Sequence, residues 1–367
     1  MGIRKTHLQE KLRELGYKER NGVYVPDSTG DIEKEYTYIR ETAGVTDFSF
    51  VQKYRVPEES GIDFLDEVFP GNIAQLRFGN VLHTFLADEK GEIKADCYIA
   101  NNNDEFLLLF ESLYTDEELD RILNDKGGKE AGLVNLTDSL AVINVDGVKS
   151  YQVMKNIFGM DVLGLPYLSV EEYEIFDRSI EFIRAGKTGE FGYKLIAPQE
   201  IAEDLMDKLI NEAGVVGGGL CGVSVHDIVR LDGRFFNIHQ EGERVKDPLS
   251  LGLQWMIDFE KDNYIGAEEI LKRRKKGVGN KITGVKVSGD KSEFRPGAVL
   301  YDGDNEAGSI QNASYSYVLG HRVGLALLPA DIAYPGVSLC MEDGTDVSTI
   351  SMPPFTPKSL SINLDEV

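Results

Sequence analysis

The sequence predicts an α+β protein of more than one domain, with a small β-barrel at its C-terminal end. Three observations support this prediction. At 367 residues the chain is long for one compact domain. Strand-like apolar segments are grouped into sets, with helix-like segments gathered around each set. The stretch 281–346 is nearly all short strand-like segments separated by turns.

Apolar residues at helical spacing characterise the N-terminal part. Leu8, Leu12 and Leu15 predict a short amphipathic helix over residues 7–15. Further helices are predicted over 31–43 and 62–68, and Pro70-Gly71 ends the second of these.

Strand pairs follow these helices. The stretches 81–86, 93–100 and 106–110 are joined by short polar turns at 88–91 and 101–104, which predicts an antiparallel meander. A helix over 116–124 closes this region.

A second set of strands is predicted over 140–145, 173–176, 180–185 and 193–197, with helices over 149–158 and 199–213. The basic run 272–276 is interpreted as a linker that precedes the barrel.

Composition excludes several classes of function. Lys and Arg total 39 against 62 Asp and Glu, a formal charge of −23, so nucleic acid is not an expected partner. No apolar stretch reaches the roughly 18 residues that a membrane helix needs, and residues 1–6 lack the apolar core of a secretion signal. Three widely spaced cysteines indicate neither a disulfide framework nor a metal site. A soluble, cytoplasmic protein without a metal is expected.

The densest polar cluster is a glycine-rich segment over 186–193, which lies between two apolar strands. Its three glycines indicate a backbone that turns sharply or closely approaches another group. Glu190 at such a turn can accept paired N–H donors from an amino-heterocycle, because a carboxylate presents two oxygens in one plane. The alternative is a hairpin with a surface glutamate.

A second polar cluster lies on the helix predicted after the glycine-rich stretch 217–222. His226, Arg230 and Gly233 fall on one side of this helix, and Asp227 neighbours Arg230. The two interpretations are a surface ion pair and a cationic edge to a pocket. The glycines themselves lack the spacing of a dinucleotide-binding loop.

Asp96 lies within a predicted strand. Period-2 alternation places Lys94, Asp96 and Tyr98 on the face opposite Ile93, Ala95 and Cys97. An acid in mid-strand conflicts with strand propensity, so Asp96 is predicted either on a solvated face or at a functional site.

These clusters, in this order, resemble the aminomethyltransferase (glycine-cleavage T-protein) family over nearly the whole chain. The family's glycine-rich segment resembles residues 186–193, and its Arg-Asp-x-x-Arg helix resembles the helix that carries His226 and Arg230. An ordered set of motifs is more specific than any one of them. Further matches are Asp247-Pro248 with Gly252, Leu253 and Trp255; Tyr264-Ile265-Gly266; and the barrel segments Pro296-Gly297, Gly308-Ser309-Ile310 and 320–327.

The resemblance implies an aminomethyltransferase-like folate-binding fold over residues 1–278. This region would hold two subdomains, roughly 1–50 with 136–278, and 51–135, and a barrel domain would span 279–367. The implied activity is transfer of a methylene or methyl group to tetrahydrofolate. Asp96 is implied as the catalytic acid and Glu190 as the residue that holds the pterin. The other implied folate-binding residues are His83, Tyr98, Thr188, His226, Arg230 and Trp255.

The sequence also departs from the family pattern. Histidine replaces tyrosine at His83 and arginine at His226, and Lys187 replaces an aromatic residue. The family's Asp-Asp pair is Ala95-Asp96 here, Ala100 replaces a tyrosine, and the Val-Asn-Ala segment is 110–112, which contains Glu111.

Four hypotheses therefore stay open, and the last of them is a structural or scaffold protein that uses the fold without a ligand. The first is a transferase that uses a small-molecule donor or a lipoyl carrier protein. The second is a tetrahydrofolate-dependent demethylase of a small methylated substrate. The third is a non-catalytic folate-binding factor for iron-sulfur assembly, which the absence of cysteine from 237–242 argues against.

Overall fold

In the computed structural model, residues 3–366 are described, and their strands form two large sheets, a hairpin and a closed barrel. Met1 and Gly2, part of the N-terminal segment considered above for secretion, lie outside the described residues. The strands, β1 to β19 in chain order, are Tyr17–Arg20, Val23–Pro26, Gly44–Asp47, Gln52–Pro57, Val81–Ala87, Ile93–Asn102, Glu105–Ser112, Val134–Asn135, Leu140–Asp146, Ser169–Ile175, Arg178–Arg184, Gly192–Pro198, Gly219–Leu220, Asn280–Val287, Val299–Asp302, Asn305–Ser316, His321–Pro329, Ser338–Met341 and Asp346–Ile350.

The α-helices, α1 to α8 in chain order, are Ile32–Glu41, Glu58–Val68, Asp116–Asp125, Ser150–Phe158, Ala202–Val215, Val223–Gly233, Glu241–Arg244 and Ala267–Lys276. Short 3₁₀ helices span Asp161–Gly164, Gln199–Ile201, Gln254–Met256, Lys358–Ser361 and Leu364–Glu366. None of the helices within residues 3–366 is long and apolar enough to cross a membrane.

The first large sheet contains the predicted meander. Its strand order is β5-β6-β7-β4-β8, and β5, β6 and β7 pair antiparallel as neighbours in sequence. Helices α2 and α3 cover one face through Phe64, Leu65 and Leu119. Helix α3 begins at a capping box in which Thr115 and Glu118 satisfy each other's backbone N–H groups.

The second large sheet has the order β10-β11-β12-β9-β3-β13, in which only the edge strand β13 pairs parallel, with β3. Helices α4 and α5 cover its outer face. Its inner face packs against the first sheet through a shared apolar core that includes Tyr98, Leu109, Val142 and Ile196. The site described below lies at one end of this core.

The C-terminal strands close into a six-stranded barrel, as predicted, with the order β14-β17-β16-β15-β18-β19. The observed mixture of sheets, helices and barrel confirms the predicted α+β class. Each large sheet draws on one of the predicted subdomains, although the exact domain limits stay predictions.

Two predicted elements are wrong. Residues 7–15 form consecutive turns and no regular helix, because Leu12 N bonds to Leu8 O four residues back whereas Leu15 N bonds to Leu12 O only three residues back. The run 272–276 is the end of α8, where basic side chains complement the helix dipole. Arg273 also ties this helix to the carbonyls of Lys90 and Gly91.

Candidate functional site

Strands on both sides of the sheet interface change from apolar to charged residues at the same end. On β6 the inward face runs from Tyr98 to Asp96, and on β7 from Leu109 to Glu111. Opposite them, β9 runs from Val142 to Asn144 and Asp146, and β12 from Ile196 to Lys194. The period-2 alternation of strands thus brings acids and bases from two sheets together.

Asp96 and Glu111 form a buried cluster, hereafter the ion cluster, with two cations from other elements: Lys187 of the glycine-rich turn and Arg230 of α6. Arg230 of α6 binds Glu111 through two bonds, Nη1 to Oε2 at 2.7 Å and Nη2 to Oε1 at 2.9 Å. The Lys187 ammonium donates to Glu111 Oε1 at 3.2 Å and also to Asp96 Oδ2. The exposed fractions of these side chains are between 1% and 9%, so water screens their charges little.

Burial alone would favour the neutral form of both carboxyl groups. For Asp96, the charge of Lys187 and the hydrogen bond from His83 outweigh burial and hold the pKa below its ordinary value. For Glu111, Arg230 and Lys187 outweigh burial and hold the pKa well below its ordinary value. The ion cluster therefore contains two ionised acids and two cations, and its charges balance.

His83 connects Asp96 to the surface. Burial lowers the pKa of His83 despite the attraction of Asp96, so the imidazole is neutral. Its Nε2 lies 2.6 Å from Asp96 Oδ1, and because an ionised carboxylate only accepts, Nε2 carries the hydrogen and donates it. The ring stacks on Tyr98, with centroids 4.2 Å apart, and its edge contacts Trp255, which is 63% exposed.

Two further buried titratable groups, Lys194 and Asp146, lie beside the ion cluster on the other sheet. Lys194 Nζ lies 3.4 Å from Asn144 Oδ1, and burial lowers the pKa of this amine to about 8. Burial likewise raises the pKa of Asp146 to about 7, and its Oδ1 has no hydrogen-bond partner among the described residues.

A small cavity lies between the acids of the ion cluster and Lys194. Phe48, Tyr98 and Phe110 form its aromatic walls, and Asp96, Glu111 and Lys194 contribute its charges; Val51, Leu109 and Val142 complete the lining. The hydroxyl of Tyr98 is buried without a partner among residues 3–366. A concave site with aromatic walls and a few polar groups is typical of small-molecule binding.

The glycine-rich turn contributes Lys187 to this site, and its glycines are needed for close packing. A Cβ atom at Gly186 or Gly192 would lie 2.7 or 2.6 Å from Asp146 Oδ1, which no side chain tolerates. Gly189 has a φ of +86°, a conformation that favours glycine. The predicted close approach thus involves the carboxylate of Asp146.

Two predicted site residues of this turn are not brought to the ion cluster. Glu190 accepts hydrogen bonds from the backbone N–H groups of Lys358 (3.2 Å) and Ser359 (2.9 Å). The hydroxyl of Thr188 accepts a hydrogen bond from Glu190 N at 3.2 Å, and the backbone carbonyl of Thr188 accepts one from Arg40. Both side chains therefore hold the C-terminal segment and the turn together.

The structure decides between the interpretations left open for the other two motifs. Asp96 is 2% exposed, so the solvated-face interpretation is wrong. The predicted surface ion pair between Asp227 and Arg230 is also wrong, because Arg230 is 3% exposed and binds Glu111. His226, on the same helix, is buried, contacts Phe48 edge-on at 5.0 Å and lies 2.9 Å from Thr46 Oγ1.

Sequence reasoning did not predict functional roles for Glu111, Lys187, Lys194 and Asp146. One signal was available for Lys194 and Asp146: each is a charged residue within an otherwise apolar strand, the same signal that identified Asp96. Glu111 and Lys187 were visible only as departures from a family pattern.

A buried, ionised acid beside an aromatic-walled cavity at the junction of two sheets is characteristic of an enzyme that binds a small molecule. Residues 7–261 match the model described as the GCVT N-terminal domain, so the chain belongs to the family of the glycine-cleavage aminomethyltransferases.

Curated relatives agree with this assignment. The chain is 25% identical over 333 residues to an aminomethyltransferase of Pseudothermotoga lettingae, covering 90% of this chain and 91% of the relative. It is 24% identical over 345 residues to that of Bacillus subtilis, covering 93% and 95%. The glycine cleavage system aminomethyltransferase T from Bartonella henselae has the same fold, with a TM-score of 0.83 at 20% identity over 97% of this chain and 99% of that one.

These findings confirm the predicted family, fold and enzyme class. They support the predicted activity of a tetrahydrofolate-dependent one-carbon transferase.

Proposed function

We propose that this chain moves a methyl or methylene group from a small donor to tetrahydrofolate, and that Asp96 is the catalytic carboxylate beside the accepting nitrogen. The observation that carries the proposal is the state of Asp96. It is a buried carboxylate that Lys187 and His83 keep ionised at the wall of an aromatic cavity. A fixed negative charge in a water-poor site stabilises positive charge on a reacting nitrogen far better than a solvated one does.

The cavity residues fit the ring part of a folate. Phe48, Tyr98 and Phe110 supply flat apolar surfaces, and Asp96 and Glu111 supply acceptors for ring N–H groups. The residues that line the cavity therefore suit a flat ring that carries N–H donors.

The transfer balances without any further reactant. In the methyl case, the bond between the donor heteroatom and carbon breaks, and the heteroatom keeps the electron pair. The folate nitrogen forms the new bond with its lone pair, and its proton ends on the donor heteroatom. In the methylene case, two folate nitrogens bind the carbon, an aminomethyl donor releases ammonia and its carrier atom takes the other proton. Neither case requires an oxidant or a metal.

The residues around Asp96 orient its carboxylate for this role. The Nε2–H of His83 fixes Oδ1, and Lys187 fixes Oδ2. Each carboxylate oxygen retains a second acceptor position, so Asp96 can still accept a hydrogen bond from a substrate. Orientation of the reacting groups contributes strongly to the rate of such transfers.

The experiment combines binding with product analysis. Tetrahydrofolate is titrated into the protein, and the protein is then incubated with it and with methylated small molecules or an aminomethyl-lipoyl carrier. Formation of 5-methyl- or 5,10-methylene-tetrahydrofolate decides between methyl and methylene chemistry. Asp96→Asn should slow the reaction roughly 100- to 10,000-fold while sparing affinity.

The matched control is Asp304→Asn, an exposed acid in a barrel turn. Tetrahydrofolate affinity no better than that of an unrelated acidic protein would contradict the proposal. Binding without product from any donor would instead favour the non-catalytic hypothesis.

A further inference from the structure

Arg234 has a backbone conformation that is unusual for an arginine. It directly follows α6, and its φ of 60° and ψ of 32° lie in the left-handed region, where glycine or asparagine normally ends a helix. A residue with a side chain is strained there, because its Cβ atom comes close to the following carbonyl oxygen. Residues held in such conformations cluster at functional sites. The strain therefore directs attention to what the side chain of Arg234 binds.

The half-buried guanidinium of Arg234 has donors to spare. A guanidinium has five N–H donors, and within residues 3–366 Arg234 uses one, from Nη2 to the carbonyl oxygen of Leu251 at 3.0 Å, and forms no ion pair. Glu241 attracts it, but this carboxylate already accepts hydrogen bonds from Asn237 N and Asn312 Nδ2. A further anion beside the guanidinium would therefore be stabilised.

The position of Arg234 in the chain places it next to the glycine-rich turn. The preceding residue, Gly233, packs against this turn, since a Cβ atom built on it would lie 3.5 Å from Thr188 O. Lys187, the neighbour of Thr188, donates a hydrogen bond to Asp96. One side of Arg234 is thus connected to the proposed catalytic carboxylate through the turn.

The hydrogen bond of Arg234 leads to the same carboxylate by a second path. Leu251 precedes Trp255 by four residues, and the exposed ring of Trp255 contacts His83, which donates to Asp96. Part of this segment is a 3₁₀ helix, with a rise of about 2 Å per residue, so the path places the guanidinium roughly 10–20 Å from Asp96. Arg234 therefore lies at the rim of the site and not at the reacting atoms.

A cation at this distance suits an extended ligand with an anionic end. The reacting nitrogens of tetrahydrofolate lie at its ring end, and its glutamate carboxylates lie at the opposite end, beyond a benzoyl group. Arginine matches a carboxylate with two parallel N–H donors. A small one-carbon donor beside Asp96 would be too short to reach Arg234.

We infer that Arg234 is a specificity residue that binds a glutamate carboxylate of tetrahydrofolate at the rim of the site. The inference rests on the proposed transfer to tetrahydrofolate and names the residue that recognises the far end of this substrate. The competing role is purely structural: Arg234 would end α6 and hold the carbonyl of Leu251.

The test compares tetrahydrofolate with its diamide, in which both glutamate carboxylates are carboxamides. Affinities are measured by anaerobic calorimetry without any one-carbon donor, so a carboxylate on a donor cannot contribute. The native protein should bind tetrahydrofolate about 10- to 100-fold more tightly than the diamide, as expected for hydrogen bonds between charged groups. This comparison needs no variant.

Arg234→Gly removes the side chain and the backbone strain together. Its affinity for tetrahydrofolate should fall at least tenfold, and its affinity for the diamide should change less than about threefold. Its melting temperature should stay within about 3 °C of the native value, because glycine favours the left-handed region and one hydrogen bond is lost. Arg234→Lys, which keeps the charge without the paired donors, should have an intermediate affinity. Lys281→Gln, which removes a positive charge at an exposed position on β14, should bind both ligands as the native protein does.

Three results would overturn the inference and leave the proposed function standing. The native protein could bind tetrahydrofolate and the diamide equally. The preference for tetrahydrofolate could survive in Arg234→Gly. Arg234→Gly could lose affinity for both ligands equally while its melting temperature falls by more than about 10 °C, which would assign Arg234 the structural role. Binding of neither ligand by the native protein would instead refute the proposed function and, with it, this inference.

Discussion

The ammonium group of Lys187 lies between the carboxylates of Asp96 and Glu111 and keeps two buried acids ionised side by side. Lys187→Met removes that charge, and the two acids then repel each other in a poorly solvated site. We expect a loss of about 3–5 kcal/mol in the free energy of unfolding, as for other broken buried ion pairs. Urea denaturation at pH 7 measures it. Lys281→Gln should stay within about 0.5 kcal/mol of the native protein, and a loss below 1 kcal/mol for Lys187→Met would contradict the role assigned to Lys187.

The pair formed by Asp96 and Lys187 shows what the sequence predicts well and what it does not. The strand with Asp96 was predicted from period-2 alternation, and its mid-strand acid was identified as unusual. Its partner Lys187 is 91 residues further along the chain, in a different sheet region. No local sequence pattern shows which acid pairs with which cation, because the pairing depends on how the two sheets pack.

Glu190 shows a different limit of the sequence. Its place in a glycine-rich turn suggested a ligand contact, and the turn was predicted correctly. The structure instead pairs it with the backbone of Lys358 and Ser359, about half the chain away. A carboxylate that accepts two N–H groups looks the same in sequence whether the donors belong to a ligand or to the chain itself.

His83 should act on the reaction through Asp96. His83→Phe retains the stack on Tyr98 but removes the Nε2–H donor, so the pKa of Asp96 should rise and its negative charge should be less firmly held. A hydrogen bond to a charged group contributes about 1.5–3 kcal/mol. We therefore expect a fall of roughly 10- to 100-fold in the transfer rate at neutral pH, since each 1.4 kcal/mol is tenfold.

The pH profile of the rate separates this effect from simple misfolding. In His83→Phe the acidic limb should move to higher pH and the rate should recover partly in alkaline buffer. His83→Gln, which offers an N–H group of similar reach, should restore much of the native profile. A uniform loss at every pH in both variants would show that His83 is only structural.

Asp146 should make stability depend on pH. Its pKa is about 7 in the folded protein against 3.8 for a free carboxyl group, because burial disfavours the charge. The native state thus binds this proton more tightly than the unfolded state does. The stabilising contribution is complete below about pH 4 and is lost as the pH rises through 7.

Asp146→Asn lacks this titration. Relative to the native protein, the variant should therefore gain about 2.5 kcal/mol of stability between pH 5 and pH 8, because the native protein loses roughly 1.4 kcal/mol per pH unit up to about pH 7. Urea denaturation of both proteins at the two pH values measures the difference. Asp304→Asn, which alters an exposed acid, should show no such trend. A difference that is constant with pH would mean that Asp146 is ionised throughout this range.

The contacts of Glu190 predict a structural phenotype for its loss. Glu190→Ala removes the acceptor for the N–H groups of Lys358 and Ser359, so the C-terminal segment 353–361 should detach more often. We expect at least tenfold faster cleavage of this segment in limited proteolysis and faster hydrogen exchange at both amides. The affinity for tetrahydrofolate should change by less than about threefold, a shift well under 1 kcal/mol. Glu41→Gln, which breaks only the exposed ion pair with the Lys358 side chain, should leave cleavage nearly unchanged. If Glu190→Ala instead abolished folate binding and left the segment protected, the pterin-holding role implied by the family resemblance would be correct and the segment would be held by its other contacts, such as Phe355 against Arg40.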